Sequence, residues 1–447
     1  MDDLTARLTT AGASPLRVLL VGMGVTNRAV AGALIRRGHR VVAADDRVDD
    51  VLRSAAADLG VGLAESPSAD DLRALAADAD FLVPAPGLPE SHLAFSLGLP
   101  IVSELDLAAA WDHRPMVAIT GTNGKTTVVE LCVAALRQAG ISALAAGNTD
   151  VPLVAAIDQS GVEVFVVEAS SFRLAQIRTF APRVGTWLNF APDHLDVHRD
   201  LAAYETAKAR VFGRIAPGGT AVANAMDPVV MRHVPTDRTV VTFGGPDADW
   251  RADGERLIGP DGPFTTTDRM WRSLPHDIED LLAVAATVVA LGAPVEAVAA
   301  AASTFPGLPH RVVPVAEIDG STFYDDSKST TPHATVAALR GFDQVVLIAG
   351  GHNKGLDLTE LADGASHVRA VVAIGEAADE VAAVFDETHP VVRADSMDEA
   401  VAAARVLASG GCPVLLSPAC ASFDWYRNYG ERGDDFVRAV RESEAGS

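Results

Sequence analysis

The sequence has few cysteines and lacks a long unbroken apolar run, and each shortage excludes a class of protein. Its three cysteines, Cys132, Cys412 and Cys420, are too widely spaced for a disulfide framework or a zinc site, so each is expected to be a small buried residue. The most apolar helical stretch, 281–303, is interrupted by glycine, proline and glutamate, which indicates core rather than a membrane span. The opening residues show no signal-peptide pattern. We therefore expect a cytoplasmic protein without membrane insertion.

Positive charge is also scarce. The formal net charge of −23 argues against nucleic acid or an anionic membrane as a partner, and a phosphorylated substrate would have to be met by local basic pockets. A chain of 447 residues that is 49% hydrophobic is long enough for two or three domains with large buried cores. We expect a monomer that acts on small molecules.

Lysine is the scarcest basic residue. Only four of the 36 basic residues are lysines, at Lys125, Lys208, Lys328 and Lys354. Lysine differs from arginine in offering a compact ammonium and an amine that can lose its proton and react. If codon bias alone explained the scarcity of lysine, the four remaining lysines would lie at random positions. All four lie in segments that stand out for other reasons, so we interpret them as functional.

The central pattern of the sequence is GTNGKTT at 121–127, directly after an apolar run. A buried strand, a glycine turn and a helix start are predicted, with backbone N–H groups and the helix N-terminus directed at a phosphate. Lys125 would reach the terminal phosphates and Thr126 would approach Mg²⁺. Ile119 occupies the position of the first glycine of the general phosphate loop, so this is a shorter variant. The residues predicted to surround ATP here are Gly121, Thr122, Asn123, Gly124, Lys125, Thr126 and Thr127.

A second nucleotide-binding pattern opens the chain. A strand at 17–21, two glycines, a helix through Arg37 and a strand at 40–44 resemble the start of a dinucleotide-binding unit. Asn27 stands where the dinucleotide-binding pattern requires its third glycine, which weakens the case for NAD or FAD as a ligand. A nucleotide diphosphate of another kind fits equally well.

Further polar clusters follow apolar runs along the chain. Glu168 ends the run 164–167, where a carboxylate could hold Mg²⁺ directly or through water, and His194 beside Asp193 is a candidate ligand. Beyond a boundary at 305–311, strands at 345–348, 370–372 and 414–416 alternate with helices and predict a third βα unit. We predict an α/β protein whose polar clusters lie at the carboxyl ends of its strands, where open α/β sheets bind ligands.

Taken together, these motifs resemble the Mur ligase family over essentially the whole length. The segments that carry the resemblance are GTNGKTT, VVEASSF (166–172), NFAPDHLD (189–196), the lysine of YETAKARVF (204–212), GLPHR (307–311), DDSKSTTP (325–332), AGGHNKG (349–355) and LSPACASFDWY (416–426). The resemblance implies three domains: a Rossmann-like N-terminal domain for UDP (1–103), a central P-loop ATPase-like domain with a parallel sheet (104–307) and a Rossmann-like C-terminal domain for the amino acid (308–447).

The family implies an ATP-dependent ligase that forms an acyl phosphate, which an amino acid's amine then attacks. The substrates implied are UDP-N-acetylmuramoyl-L-alanine and D-glutamate, with ATP and two Mg²⁺ ions. By position, Lys125, Glu168, His194 and Lys208 would be catalytic, and Thr126, Glu168, His194 and Lys208 would serve the metals. ATP would also meet Asp280, Arg311, Asp326 and Lys328. The UDP substrate would meet Val25, Thr26, Asp45, Asp46, Arg47, Asn148 and Ser170, and D-glutamate would meet Thr330, Lys354, Ser422, Phe423 and Tyr429.

Lys208 also suggests a modification. A plain ammonium would repel a nearby Mg²⁺, whereas a carbamate on the amine would offer it an anionic oxygen. This hypothesis accounts for a lysine where arginine would otherwise serve.

The chain departs from the family pattern in two places. Arg173 replaces the glutamine that usually follows Ser-Ser-Phe, which puts one substrate contact in doubt. The family's His-Asn-x-x-Asn becomes His276-Asp277-Ile278-Glu279-Asp280. An ionised aspartate only accepts hydrogen bonds, so adenine contacts there are expected to be rearranged or lost.

Three other interpretations remain open. A sister ligase or a folylpolyglutamate synthase would add another amino acid, although LSPACASFDWY favours D-glutamate and no Asp-Asn-Pro-Arg, typical of the diaminopimelate-adding type, occurs. A non-catalytic nucleotide switch would have no use for Lys208. A dehydrogenase is disfavoured by Asn27.

Overall fold

The computed structural model describes residues 7–9, 14–195 and 197–445, which form two compact units. The first unit comprises the described residues within Met1–Phe190, together with His194–Arg269 and Asp280–Ser303. The second comprises Ala191–Asp193, Met270–Glu279 and the described residues within Thr304–Ser447. The predicted boundary near 103 lies inside the first unit, so the division into three domains stays a prediction.

The first unit begins with a four-stranded parallel sheet in the order β3-β2-β1-β4. Its two central-to-edge strands β1 and β4 are buried on both faces, apart from Arg17, whereas β2 and β3 are partly exposed. An isolated parallel bridge between Leu82 and Ile101 extends it by one residue, where the sequence predicted a strand at 100–102. The elements are β1 Arg17–Val21, α1 Val25–Arg36, β2 Arg40–Asp45, α2 Asp50–Leu59, β3 Gly62–Glu65, α3 Ala69–Ala77, β4 Phe81–Pro84 and a 3₁₀ turn at Leu93–Ser96.

A six-stranded parallel sheet follows, in the order β10-β9-β8-β5-β7-β6. Strands β5, β7 and β8 are buried along their whole length, which explains their uninterrupted apolar runs. The elements are α4 Glu104–Trp111, β5 Met116–Thr120, α5 Lys125–Gln138, β6 Ala143–Gly147, α6 Leu153–Ala156, β7 Val164–Glu168, α7 Ser171–Gln176, β8 Val184–Trp187, α8 Leu201–Gly213, β9 Thr220–Asn224, α9 Pro228–Arg232 and β10 Thr239–Phe243.

A small antiparallel sheet completes the first unit, in the order β11-β12-β13. It was not predicted from the sequence. Helix α11 begins after the Gly292–Pro294 break, as the sequence indicates. The elements are β11 Arg251–Asp253, β12 Arg256–Gly259, β13 Gly262–Thr266, the 3₁₀ turn Thr267–Arg269, α10 Pro275–Ala290, which runs from the second unit into the first, and α11 Val295–Thr304.

The second unit is built on a six-stranded mixed sheet in the order β14-β15-β19-β16-β17-β18. Only the β14–β15 hairpin is antiparallel, and the other neighbours are parallel. The elements are β14 Val313–Ile318, β15 Ser321–Asp325, α12 Pro332–Leu339, β16 Val345–Gly350, a 3₁₀ helix Leu358–His367, β17 Val368–Ile374, α13 Ala378–Phe385, β18 Val391–Ala394, α14 Met397–Leu407, β19 Val414–Ala419 and α15 Tyr429–Ala445.

Two further expectations can be compared with the structure. The three cysteines are free and buried, as predicted. Among the described residues, no helix combines the length and the apolar character that crossing a membrane requires. The α/β class with parallel sheets is confirmed.

Candidate active site

The phosphate loop lies between β5 and α5, where the connections of the six-stranded sheet change direction. Gly124 is in the left-handed conformation (φ 82°), and a Cβ there would lie 2.6 Å from Asp280 Oδ1. A Cβ on Gly121 would lie 2.9 Å from the Leu188 Cβ. Close packing therefore favours glycine at both positions, and Asp280 lies directly against the loop, whereas its role near ATP stays a prediction.

Asn189, from the loop after β8, fixes the turn. Its side-chain oxygen accepts the backbone N–H groups of Thr122 (3.0 Å) and Asn123 (2.9 Å). These two N–H groups are engaged inside the protein, so the predicted phosphate contacts would fall to the N-terminal turn of α5. The Thr122 hydroxyl is also 3.2 Å from the Tyr204 hydroxyl.

Two lysines meet at one carbonyl oxygen. Lys125 Nζ donates to the carbonyls of Gly121 (2.9 Å) and Thr122 (2.8 Å), and Lys208 Nζ donates to Gly121 O at 2.6 Å. Lys208 is 1% exposed and lies 4.6 Å from the centre of the Tyr204 ring. It is therefore a buried lysine at the phosphate loop, and an ordinary surface role is excluded.

Glu168 ends β7 beside the loop. Its Oε1 accepts a hydrogen bond from the side-chain amide of Asn148 (2.9 Å), whereas its buried Oε2 has no hydrogen-bond partner among the residues that the structure describes. A buried carboxylate oxygen without a partner is costly and fits a site that a cation completes. Thr126, half-buried in the first turn of α5, starts the helix that follows β5, the neighbour of β7.

His194 belongs to the same unit but not to an assembled metal cluster. It has a positive φ of 58°, and its ring packs edge-on against Phe172 with centroids 4.6 Å apart. Within the described parts of the chain, no group of three or more histidine, cysteine, aspartate or glutamate side chains could hold a metal ion. The metal roles expected for Thr126, Glu168, His194 and Lys208 therefore stay predictions. Asp196 of the quoted motif lies outside the described residues.

The predicted UDP site is formed by the turn after β1. Gly22 has φ 81°, and a Cβ there would lie 2.7 Å from the Ala85 Cβ. Asp45, at the end of β2, accepts the N–H groups of Met23 (2.6 Å) and Arg47 (2.9 Å). Asn27 uses its amide to donate to the Gly22 carbonyl (2.7 Å), so the residue in the place of the third glycine stabilises the turn from inside.

The remaining UDP-site residues surround this turn. Asp46 lies 3.2 Å from the His92 ring nitrogen, and Val25 is exposed at the start of α1. Thr26 and Ser170 are both linked to Arg173, whose NH2 donates to Thr26 Oγ1 (3.0 Å) and whose backbone N–H approaches Ser170 Oγ (3.4 Å). Arg173, which stands in place of the usual glutamine, therefore forms hydrogen bonds with Thr26 and Ser170.

The second unit gathers its predicted residues at one sheet edge. The segments 326–330, 351–354 and 420–423 follow β15, β16 and β19, which are adjacent parallel strands, so their carboxyl ends meet. The loops are also bonded to each other, since Ala419 N–H donates to Ser329 O (3.0 Å) and His352 pairs with Ala421. Thr330, half-buried, lies in the first of these segments, and Ser422 and Phe423 lie in the third.

Asp326 and Lys328 differ in their surroundings. Burial raises the pKa of Asp326 to about 7, although it accepts a hydrogen bond from Ser417 Oγ at 2.7 Å. Lys328 Nζ lies 3.7 Å from the centre of the Tyr429 ring, a cation–π contact.

Two further residues predicted to bind D-glutamate differ in exposure. Lys354 Nζ donates to Asp193 Oδ1 (3.2 Å), and Phe423 is 67% exposed.

Asp277 has a structural partner that explains one departure. Its carboxylate accepts two hydrogen bonds from Arg272, each 2.7 Å long. Arg272 also donates to the carbonyls of Arg311 (2.5 Å) and Val312 (2.8 Å). The buried carboxylate is therefore paired, and it positions the backbone at Arg311, a predicted ATP contact.

Three residues that shape these sites were not predicted. Glu104 pairs with Arg173 at 2.6 Å. His198 lies 2.9 Å from both Glu90 and Ser171. Arg432, 1% exposed, donates to the carbonyls of Ser327 and Cys420. Sequence offered little signal for them, because each acts on residues far away along the chain.

Comparison with known proteins gives the family. Residues 119–257 match the family model of the Mur ligase middle domain, and residues 310–420 match that of the Mur ligase glutamate ligase domain. A UDP-N-acetylmuramoylalanine–D-glutamate ligase of Frankia casuarinae is 40% identical over 99% of this chain and 97% of its own length. A relative of the same name from Syntrophotalea carbinolica is 37% identical over 95% of this chain and 97% of its own.

Solved structures support the fold alone. A pseudomurein peptide ligase type C from Methanothermus fervidus superposes with a TM-score of 0.62 at 16% identity, covering 96% of this chain and 99% of that one. MurF from Acinetobacter baumannii gives a TM-score of 0.62 at 17% identity, covering 96% and 92%.

Proposed function

The chain belongs to the Mur ligase family, and from that premise we propose that it joins D-glutamate to UDP-N-acetylmuramoyl-L-alanine with consumption of ATP. It is an ATP-dependent carbon–nitrogen ligase of peptidoglycan precursor synthesis. The finer assignments, which concern the intermediate, the metals and the individual residues, are supported by the geometry of the two units.

The observation that carries the proposal is the meeting of Lys125 and Lys208 at Gly121 O. Two cations at one phosphate loop suit a reaction between two anions, the substrate carboxylate and ATP. The carboxylate oxygen attacks the terminal phosphorus and ADP leaves, giving an acyl phosphate. The amine of D-glutamate then attacks the acyl carbon and phosphate leaves. Charge accumulates in the first step, and fixed cations stabilise it.

Lys125 binds and orients the phosphates, with Gly121, Gly124 and the first turn of α5 forming the cradle. Asp280, packed against Gly124, borders this cradle. A nucleotide switch would also use such a loop, but it has no need of a second buried lysine there, so this alternative is disfavoured.

Magnesium fits the residues at the loop. Bound Mg²⁺ would neutralise phosphate charge, and Glu168, with its unpartnered oxygen, and Thr126 would hold the first ion. His194 and Lys208 would serve a second. Lys208 would then act as a carbamate, since the crowding of two ammonium groups at Gly121 O is relieved when one of them becomes anionic.

The substrates divide between the two units in this proposal. The UDP substrate would use the turn after β1 and Asn148 and Ser170 of the first unit. D-Glutamate would use Thr330, Lys354, Ser422 and Phe423 on the three adjacent loops of the second unit, together with Tyr429, the first residue of α15. The ion pair of Lys354 with Asp193 indicates a lysine suited to a carboxylate.

Phosphate release tests the proposal directly. It is measured with ATP and Mg²⁺, with and without UDP-N-acetylmuramoyl-L-alanine, and with D-glutamate, D-glutamine, L-lysine, diaminopimelate or L-glutamate. We expect release only with the UDP substrate and D-glutamate together. D-Glutamine should be rejected strongly, because its neutral amide would replace the side-chain carboxylate that Lys354 is proposed to bind. Equal turnover with D-glutamine would show that the amino-acid residues are misassigned. Turnover with diaminopimelate or with a folate would favour a sister enzyme.

A further inference from the structure

A buried ion pair in the first unit lies outside every residue assigned above to a substrate. Arg173 NH1 and Glu104 Oε2 are 2.6 Å apart, and the side chains are 6% and 3% exposed. Glu104 is the first residue of α4, and Arg173 lies in the first turn of α7. Taking two charges out of water is costly unless both are satisfied by good hydrogen bonds, so the bonds around the pair indicate its role.

Those bonds lead to three segments that the UDP substrate is proposed to use. Arg173 NH2 donates to Thr26 Oγ1 (3.0 Å), beside the turn after β1. Glu104 Oε1 accepts the N–H of Val154 (2.8 Å) in α6, which follows the loop that carries Asn148. The backbone of Arg173 approaches Ser170 Oγ (3.4 Å), which caps α7.

We propose that Glu104 and Arg173 form a positioning pair for the UDP-linked substrate, fixing Thr26, the Asn148 loop and the Ser170 cap as one surface. This inference rests on the proposed function, because it takes the substrate to be a nucleotide diphosphate carrying a sugar acid. It also gives the replacement of the usual glutamine a role: with Glu104 as a partner, Arg173 reaches two groups at once through its planar fork.

The pair acts through geometry rather than through charge. Arg173 and Glu104 neutralise each other, so they present no net charge to a diphosphate. A hydroxyl has one hydrogen to donate. Because Thr26 Oγ1 accepts from Arg173, its own hydrogen is turned towards another acceptor, and a diphosphate oxygen is such a group. Loss of the pair frees this hydroxyl to rotate.

The test separates positioning from folding. Removing one partner alone would strand a buried charge and could unfold the chain. The informative variant is therefore Glu104→Gln with Arg173→Met, which removes both charges, keeps an acceptor for the Val154 N–H and does not introduce the family's usual glutamine at position 173. Arg173→Lys, which keeps the charge but not the fork, and Thr26→Val complete the set. Asp112→Asn with Arg114→Gln is the control, because it removes another ion pair of the same unit, 2.6 Å long, and the further bonds of Arg114 go to the carbonyls of Ile157, Gln159 and Val162, none of which is proposed to contact the substrate.

Calorimetric titration gives Kd for UDP-N-acetylmuramoyl-L-alanine and for a non-hydrolysable ATP analogue, and thermal unfolding gives Tm. We expect the double variant, Arg173→Lys and Thr26→Val each to weaken UDP-substrate binding by about five- to tenfold, the effect of one or two hydrogen bonds, with ATP-analogue binding unchanged. The control pair should lower Tm alone. The double variant combined with Thr26→Val should bind no more than about twofold more weakly than the double variant, since residues that act as a unit are not additive.

Three outcomes overturn the inference and can be told apart. If the unaltered chain binds the UDP substrate and the double variant binds it equally well with a lower Tm, the pair serves only stability. If the unaltered chain does not bind the UDP substrate at all, the proposed function fails, and the inference with it. A loss of ATP-analogue affinity equal to the loss of UDP-substrate affinity would also contradict a positioning role specific to this site.

Discussion

Two ammonium groups on one carbonyl oxygen, those of Lys125 and Lys208 at Gly121, are the most unusual feature at the scale of single residues. Like charges this close repel each other, and the repulsion is relieved by an anion between them or by modification of one. The scarcity of lysine in the sequence pointed to both residues, and in the structure both lie at the phosphate loop, Lys208 buried and Lys125 half-buried.

The first prediction concerns Lys125→Ala. Loss of this ammonium removes charge stabilisation from the transferring phosphoryl group, which costs on the order of a hundredfold or more in rate. The fold should persist, since Lys208 still donates to Gly121 O. Phosphate release and thermal unfolding are measured beside Arg73→Ala, an exposed arginine on α3. Retention of more than a tenth of the parent rate would contradict the assignment.

The second prediction concerns Lys208, and two forces compete there. The Tyr204 ring favours an ammonium, whereas the neighbouring Lys125 and a Mg²⁺ ion favour an anionic carbamate. We expect Lys208→Ala to lose most activity and acetate to restore part of it by supplying the missing carboxylate. Lys208→Arg should stay inactive, because a guanidinium forms no carbamate. Near-parental activity of Lys208→Arg would show that Lys208 serves only as a cation.

The third prediction concerns Asp326 and pH. Burial raises its pKa from 3.8 to about 7, so between about pH 4 and 7 the folded state holds a proton that the unfolded state has released. Stability should therefore fall as pH rises through this window. In Asp326→Asn this part of the slope should disappear. Tm is measured from pH 5 to 8 for both chains, and the difference between them is read, because His310, whose pKa Asp325 raises, titrates in both. Parallel curves would show that Asp326 ionises normally.

At the scale of elements, the glycine turn before α5 combines a left-handed backbone conformation at Gly124 with a close side-chain contact. Gly124 and Gly218 have similar angles, φ 82° and φ 74°, but only Gly124 has a neighbour where a Cβ would lie, Asp280 Oδ1. The two positions therefore separate backbone strain from contact.

The fourth prediction compares Gly124→Ala with Gly218→Ala. Left-handed backbone costs a non-glycine residue about 1–2 kcal/mol, so both variants should lose that much stability in denaturant unfolding. Gly124→Ala should lose more, and its KM for ATP should rise at least about tenfold because Asp280 and the loop must move apart. Gly218→Ala should keep parental kinetics. Equal effects of the two variants on KM would mean that the Gly124–Asp280 contact is not part of the ATP site.

Sequence patterns predicted the elements that are buried and missed those that are not. Strands β1, β5 and β7 were found because both faces are covered and their apolar runs are continuous. Strands β11 and β18 are short and largely exposed, so no hydrophobic period marks them. Likewise, the partner of Arg173 lies 69 positions away, and only the folded chain reveals that Glu104 neutralises it. Motifs therefore located the site, whereas the residues that hold it in place required the structure.

At the scale of the whole molecule, the net negative charge of the protein disfavours the approach of its anionic substrates. The chain carries a formal net charge of −23, and its proposed substrates are all anions. Lysines at the phosphate loop attract these anions at short range, but the approach runs against the field of the whole protein.

The fifth prediction follows from that opposition. The Debye length is about 30 Å at 0.01 M and about 10 Å at 0.1 M ionic strength, so added salt screens the long-range repulsion before it screens contacts inside the site. We expect kcat/KM for UDP-N-acetylmuramoyl-L-alanine to rise by about two- to threefold as KCl increases over this range at constant Mg²⁺. At higher salt it should fall, once the contacts at Lys125 and Lys208 are weakened. A continuous decrease from the lowest salt would show that the local cations outweigh the net charge at every distance, and that substrates are steered towards the loop.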